Sequence, residues 1–426
     1  MSTKELILLM GDDIAGTVTR LAGGKLAFEY DSAYSATPVS VSMPTQIRQH
    51  ADAQITPWLW GLLPDNDAVL SRWSRDFHVS PGSPFSLLST PLGEDCPGAV
   101  RLLSPDRAAA IKTTSDPAGV EWLTEAMVAQ RLRDLKEDST AWLGANHSGR
   151  FSLAGAQAKT ALLRDGDRWG EPHGSAATSH ILKPAIEGFD NHDLNEHLCL
   201  SAMRAAGLRA VHTSIERFED QTAIVVARYD RALRDGHQRR LHQEDLCQAL
   251  GIHPARKYQN EGGPGPSDVA GLFRLAMSRA ASHDAICAFL DALVWNWAIA
   301  GTDAHAKNYS LLLLDRQVRL APFYDVASAL PYGIPQQKMR LAMKFGSDYR
   351  SNPGSSPWQR LAADLDLPED EVRSRAAGVL AATPDAFATA AADPAVQSLE
   401  SSLPGRMTDL VLARVKKCEK YLTNPK

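Results

Sequence analysis

Residues 297–314 read WAIAGTDAHAKNYSLLLL, two apolar runs around a short gap that carries Asp303, His305, Lys307 and Asn308. Asp followed five positions later by Asn is the spacing of a phosphoryl-transfer loop, in which the carboxylate orients or deprotonates a hydroxyl nucleophile and the amide oxygen holds a metal ion. Alone the spacing is common, and an Asp after Thr at a helix end is ordinarily a cap or turn residue. His305 and Lys307 taken singly read as surface or structural residues, and His305 without a second His or Cys nearby is a poor metal site. Downstream, YSLLLL, a turn at DRQ and VRLAPF predict a hairpin whose far end returns a second carboxylate, Asp325 in FYDVAS, to the side of Asn308. Together Asn308 and Asp325 could then grip one or two Mg²⁺ ions.

Upstream, FSLAGAQAKTALL places Gly155 in a turn between two predicted strands, where backbone N–H groups can approach phosphate oxygens with no side chain in the way. An ordinary hairpin is the plain alternative, and the KT ending lacks the G-x-x-x-x-G-K spacing, which disfavours P-loop chemistry. Lys183 ends the predicted strand HILKP, the place where a kinase carries the lysine that contacts the α and β phosphates, and Glu196 in the next helix is positioned to pair with it. Either charge by itself reads equally as a solvated surface group. The order is what counts: glycine turn, strand Lys, helix Glu, then catalytic Asp.

The elements that must position these residues fall into three stretches. Residues 1–106 alternate short strands (KELILLM, GTVTRL, KLAFEY) with a helical stretch around TPWLWGLLPDNDAVLSRWSRDF, a small α/β unit with no reactive cluster, and LLSPDRAAAIKTTSDPAG reads as a linker with a boundary near Asp106. Residues 107–230 hold the strand-rich lobe, with FSLAG, KTALLR, HILKP, HTSIERFED and TAIVVARYD as strands and DLNEHLCLSAMRAAGL as one inserted helix. Residues 231–426 are mainly helical; DAICAFLDALVWNWAIAG is apolar nearly all round and expected to be buried, and the Ala-rich tail is expected as two helices broken at Pro384. The expected fold class is α+β, a protein-kinase-like two-lobed fold with a mixed-sheet N-lobe, an added small N-terminal α/β subdomain and a mainly helical C-lobe.

Composition sets the outer bounds. With 426 residues and 44% hydrophobic content the chain can bury two or three cores. The five cysteines have no CxxC spacing, so neither a zinc framework nor a disulfide scaffold is expected, and a reducing cytoplasm fits. No apolar run suits a signal peptide or a membrane span. A net charge of −5 with interspersed acids and bases argues against autonomous nucleic-acid binding.

The stretches FSLAGAQAKTALL, HILKP, DLNEH, RLHQEDLCQALG, KYQNEGGPG, GTDAHAKNYS and YDVASALPY, with LLPDN and PFSLLS nearer the N-terminus, resemble the HipA family of serine/threonine kinases, toxin components of bacterial toxin-antitoxin modules. The resemblance covers essentially the whole chain. It implies ATP and Mg²⁺ as cofactors, Asp303 as catalytic base, Asn308 and Asp325 as metal ligands, and Glu196 as the ion-pair partner of Lys183. It also implies an ATP-binding set of Ala154, Gly155, Ala156, Gln157, Lys159, Lys183, Arg228, Tyr229, His305 and Lys307, and an inhibitory autophosphorylation site at Ser152, with Arg150 as a partner for the swung-out phosphate. Similar members often carry an acidic residue where Ala227 stands in the adenine-contacting segment. The likeness further implies an aminoacyl-tRNA synthetase substrate (such as glutamyl-tRNA synthetase), growth arrest or persistence through blocked translation, and neutralisation by a HipB-like helix-turn-helix antitoxin that brings DNA indirectly, with no membrane role. Lys338, Arg340 and Lys344 in KMRLAMKF could touch phosphate but read better as a solvated strand face. Two other readings stay open: an antitoxin-docking corepressor with structural ATP, and a small-molecule kinase of the aminoglycoside type.

Overall fold

The computed structural model describes residues 4–423 except 114–118, 145–148, 175, 187, 235–236, 316 and 353–356. Period-two alternation near the N-terminus builds an antiparallel sheet from β1 (Glu5–Met10), β2 (Asp13–Arg20), β3 (Leu26–Tyr30), β4 (Gln49–His50) and β5 (Val100–Leu103), in the order β4-β3-β2-β1-β5. Helices α1 (Asp52–Gly61), α2 (Asp67–Asp76) and α3 (Pro84–Leu88) complete this unit. The helical stretch expected around Thr56–Phe77 is therefore two helices, interrupted at 62–66. Pro64 lacks an N–H to continue the ladder, and Asn66 starts α2 by accepting from the N–H groups of Ala68 and Val69 at 3.0 and 3.3 Å. The expected linker is also partly regular: β5 leads into α4 (Pro105–Thr113), with Pro105 at its first position and the Ser104 hydroxyl accepting from Arg107 N. The boundary near Asp106 thus falls in the first turn of a helix, and the linker residues 114–118 lie outside the described residues.

The second sheet has six antiparallel strands in the order β10-β11-β9-β7-β8-β6: β6 (Gly119–Leu123), β7 (Thr160–Asp165), β8 (Arg168–His173), β9 (His180–Pro184), β10 (Thr213–Phe218) and β11 (Gln221–Ala227). Helix α5 (Glu125–Glu137) precedes β7, and α6 (His192–Ala205) is the inserted helix. FSLAG is not a strand. Phe151 and Leu153 bury their side chains in the core shared with the N-terminal unit, and the segment pairs only at the isolated bridge Pro64–Gly155. Alternation along β11 sends Ala223 and Val225 into that shared core and Ile224 and Val226 into the core of the helical lobe, so one strand serves both.

The hairpin β12 (Arg231–Arg234) and β13 (His237–Arg240) leads to β14 (His242–Asp245), which pairs with β15 (Ser310–Leu314), itself in a hairpin with β16 (Gln317–Leu320). The expected hairpin ahead of Asp325 is present, although Arg316 in its turn lies outside the described residues. Helices α7 (Leu246–Ala249), α8 (Pro266–Ala276) and α9 (Arg279–Ile299) come before the Asp303 loop, and α9 buries almost every side chain from Phe289 to Ile299. After it come β17 (Arg340–Phe345), β18 (Asp348–Arg350), α10 (Pro357–Leu365), α11 (Glu369–Ala391), α12 (Pro394–Gln397) and α13 (Leu403–Thr423). Helix α11 runs straight through Pro384, against expectation. A proline costs about 3 kcal/mol inside a helix, and buried Val379, Leu380, Ala386 and Phe387 on either side of it supply the packing that holds the helix together. In β17 the solvated face holds Arg340, preceded by exposed Lys338, while Lys344 is half-buried. Among the described residues no helix is long and apolar enough to cross a membrane.

A buried charge cluster ties the N-terminal unit to the two lobes. Asp95 accepts from Arg231 at 2.8 Å and Arg240 at 3.2 Å, with Arg228 at 3.6 Å, while Asp230 accepts from Arg228 at 2.8 Å and from the Gly98 N–H at 2.7 Å. Burial pushes the Asp95 carboxyl up, but the three guanidiniums outweigh it and hold it well below the usual carboxylate range. Asp95→Ala strands buried cations and should lower stability by about 3–5 kcal/mol, read from the urea midpoint. Because the folded-state value is depressed, the contribution of Asp95 is complete above pH of about 4 and is lost as pH falls below it. Asp95→Asn should therefore show a flatter loss of stability on acidification than wild type.

Candidate active site

A cavity of about 620 Å³ opens between the six-stranded sheet and the helical lobe. Lys183 at the end of β9 is 6% exposed, and its ammonium donates to Glu196 Oε1 of α6 and to Asp325 Oδ1, each at 2.7 Å. Burial opposes the charge on Lys183, but Asp325 and Glu196 outweigh it and raise its pKa above the ordinary value. For Asp325, burial pushes the carboxyl up, and Lys183 and then Lys159 override it and hold the group well below the usual range. Glu196 is pushed up by burial, against the pull of Lys183. Asp325 itself takes a left-handed backbone, φ 58°, a conformation that Asp tolerates better than most non-glycine residues.

Asp303 is exposed at the rim of the cavity, directly after the buried C-terminus of α9. The Tyr258 hydroxyl donates to its Oδ1 at 2.6 Å, and the Asn308 Nδ2 donates to its backbone carbonyl at 2.7 Å. The second bond uses the amide nitrogen of Asn308 and not its Oδ1. Asn308 and Asp325 line the same cavity, so the β15–β16 hairpin brings together the oxygen donors that spacing suggested. An all-oxygen set of this kind suits a hard cation such as Mg²⁺.

The 154–159 loop forms the opposite wall. Gly155 has φ 97°, a backbone conformation that favours glycine, and a Cβ there would displace the end of the Lys159 side chain, 2.9 Å away. Lys159 donates to the Ala154 carbonyl at 3.1 Å and lies over the Trp142 ring at 4.4 Å. Burial, then repulsion from Lys183, lowers its amine to about 7. Two lysines facing one cavity, with Gln157 Nε2 and His305 Nδ1 buried beside it and unpaired among the described residues, form a surface whose electrostatics and donors fit a polyanion. This is the test that a nucleotide triphosphate with its cation passes on the residues present.

Arg228, Tyr229, His305 and Lys307 also line the cavity, and each makes further contacts. The Arg228 guanidinium is committed to Asp230, Thr178 and the Cys96 carbonyl, so only the rest of that residue faces the cavity. Tyr229 stacks on Tyr324 at 5.7 Å and donates to Gln243 at 2.7 Å. The Lys307 ammonium is buried 3.0 Å from Asp65 Oδ1 and 3.6 Å from Asp245 Oδ2, which makes it first a tie between elements. His305 sets its ring edge-on to Tyr258 at 4.9 Å, and burial lowers its pKa. Ser152 is fully buried rather than at a strand end, its hydroxyl donating to the Leu62 carbonyl at 2.7 Å, while Arg150 sits 3.7 Å from Glu94.

Sequence reasoning assigned no role to Asp65, Tyr258, Lys257 or Asp245. Asp65 accepts from Lys257 at 3.0 Å and forms an ion pair with the Lys307 ammonium at 3.0 Å, and its own N–H donates to the Gly155 carbonyl at 3.1 Å. The 62–66 break between α1 and α2 therefore holds the 154–159 loop and the Asp303 loop at once. LLPDN and KYQNEGGPG did stand out in the sequence, but nothing local says that Asp65 reaches Lys307.

Two family models match the chain, the HipA N-terminal domain over residues 6–103 and the HipA-like C-terminal domain over residues 151–387. The chain is 31% identical to Y4mE of Sinorhizobium fredii, across 98% of this chain and 99% of that protein. It is 29% identical to the serine/threonine-protein kinase toxin HipA of Shewanella oneidensis, across 99% and 98%. Among solved structures it is similar to a chain of the Shewanella oneidensis complex of HipA, HipB and operator DNA, with a TM-score of 0.83 at 24% identity and 99% of both chains covered, a likeness that bears on the fold. Matched through both its N-terminal unit and its two-lobed body, the chain belongs to the HipA family.

Proposed function

We propose that the protein is an ATP- and Mg²⁺-dependent serine/threonine protein kinase acting as the toxin of a toxin-antitoxin pair. The observation that carries the reading is Lys183, held between Glu196 and Asp325 in the cavity whose rim carries Asp303. When bound, MgATP supplies the transferable phosphoryl group and the cation that neutralises it. Asp303, exposed at the rim with Tyr258 fixing one of its oxygens, is the group that orients a substrate hydroxyl and accepts its proton. Asn308 and Asp325 offer the metal-binding oxygens, and Lys183, Lys159 and the Gly155 loop bind phosphate oxygens. Among the readings left open, a protein substrate agrees with the exposure of Asp303, and the family likeness supports a HipB-like helix-turn-helix antitoxin as partner, with DNA reached through it. An aminoacyl-tRNA synthetase, such as glutamyl-tRNA synthetase, is the proposed target, and cytoplasmic growth arrest the proposed outcome. The Shewanella oneidensis relative, named a serine/threonine-protein kinase toxin, supports the kinase and toxin parts of the reading.

Ser152 is proposed as the autophosphorylation site and off-switch. Its hydroxyl is packed against Leu62, and the neighbouring loop is tied to the 62–66 break through Asp65 N to Gly155 O and Asn66 Nδ2 to Ala156 O at 3.2 Å. A phosphate carrying about −1.5 to −2 charges does not fit that packing beside a polyanion site, so modification requires the loop to leave it.

Three outcomes test the proposal. Asp303→Asn should lower phosphotransfer by about 10² to 10⁴ while preserving the melting curve, and intact-mass spectra should show phosphate on Ser152 in wild type and none in the variant; near wild-type turnover in Asp303→Asn would overturn the assignment. Asp325→Ala should abolish the thermal shift produced by MgATP. Finally, phosphate binding should restore the Lys159 proton, so calorimetry at pH 8 in buffers of different ionisation enthalpy should register proton uptake on ATP binding, and Lys159→Met should remove it.

A further inference from the structure

Helix α9 carries His283 and Cys287 four positions apart, on one face, and Glu371 in the first turn of α11 lies against them. His283 Nε2 is 3.7 Å from Cys287 Sγ and 3.5 Å from Glu371 Oε1, and Sγ is 3.4 Å from that same oxygen. A tetrahedral zinc ion with bonds of about 2.0–2.3 Å to nitrogen, oxygen and sulfur holds its ligand atoms about 3.3–3.8 Å apart. All three separations fall in that interval. The donors thus already mark one face of a zinc tetrahedron, on two helices that would not have to move.

We propose that His283, Cys287 and Glu371 form a binding site for a zinc-like divalent cation that clamps α9 to α11. The donor set has one nitrogen, one sulfur and one oxygen, which suits a borderline cation and not Mg²⁺. Cys287 is buried while the His283 side chain is 54% exposed, which provides an entry path and leaves the fourth position to water. The neighbouring Arg375 guanidinium is already held on Asp291 by bonds of 3.0 and 2.5 Å, so its charge is compensated beside the site. On binding, the Cys287 thiol releases its proton to solvent and the sulfur lone pair forms the metal bond; burial and the Glu371 carboxylate otherwise hold this thiol up, at about 11. None of the three residues lines the 620 Å³ cavity, so the site is separate from the proposed kinase centre. Its mechanical consequence reaches that centre: α9 ends at Ile299, just before the Asp303 loop, and α11 also packs on α6, which carries Glu196.

Cobalt(II) is the probe, because its bond to a thiolate gives an intense near-ultraviolet charge-transfer band and the cavity wall contains no cysteine among the described residues. Tag-free, reduced, metal-stripped full-length protein is titrated with Co²⁺ in excess Mg²⁺. The expected result is one equivalent bound with that band, bleached by equimolar Zn²⁺, and a melting temperature that rises with Zn²⁺ in wild type. Cys287→Ser should remove the band, and so should His283→Ala, whose exposed helical position tolerates alanine; neither variant should gain stability from Zn²⁺. Absence of the band, its survival in Cys287→Ser, or equal Zn²⁺ shifts in wild type and His283→Ala would each overturn the proposal.

Discussion

The arrangement of the site depends on one buried cation. Taking the Lys183 ammonium out of water costs several kcal/mol, and only opposing charge at hydrogen-bond distance offsets it. Glu196 and Asp325 supply that charge from α6 and from the segment after the β15–β16 hairpin. Strand, helix and hairpin are therefore fixed relative to one another by a single electrostatic requirement. The same requirement explains Lys159. With the two nearby carboxylates engaged by Lys183, a second buried amine has no close counter-charge and loses affinity for its proton until an anion arrives.

The N-terminal unit is a working part of this arrangement. Through Asp65 it reaches both loops of the site, and through Asp95 it holds the arginines at the junction of the lobes. Further buried bonds join it to the helical lobe, from Val41 N to Glu244 Oε1 at 2.7 Å and from Gln248 Nε2 to the Trp58 carbonyl at 2.9 Å. Burial pushes the Glu244 carboxyl up to about 8, against the pull of the Ser40 and Val41 donors. The unit thus meets the sheet through an apolar core and the helical lobe through polar contacts.

Apolar packing sets how precisely the Asp303 loop can be held. Helix α9 is buried by its neighbours over its last three turns, and Trp297 stacks on Phe345 at 4.5 Å and meets Trp358 edge-on at 5.6 Å. A helix seated this firmly delivers the polar loop at its C-terminus to a fixed place, so the exposed carboxylate at the rim does not need to be buried to be positioned.

Read alone, the sequence supplies the parts list: the Asp303–Asn308 spacing, the hairpin before Asp325, Lys183 at a strand end, Glu196 on the next helix, and the strands and helices that carry them. These are readable because period-two and period-3.6 patterns and short turns are local properties. It misjudged places where tertiary packing overrides local rules. Proline at 384 is tolerated because its helix is packed on either side, and FSLAG is pinned by side chains and one bridge instead of a ladder. Which charges meet is set by the fold. Asp65 finds Lys307, Tyr258 finds Asp303, and Asp95 gathers three arginines across long stretches of chain, because a buried charge must be compensated by whatever group the fold brings within about 3 to 4 Å, and sequence separation carries no information about that.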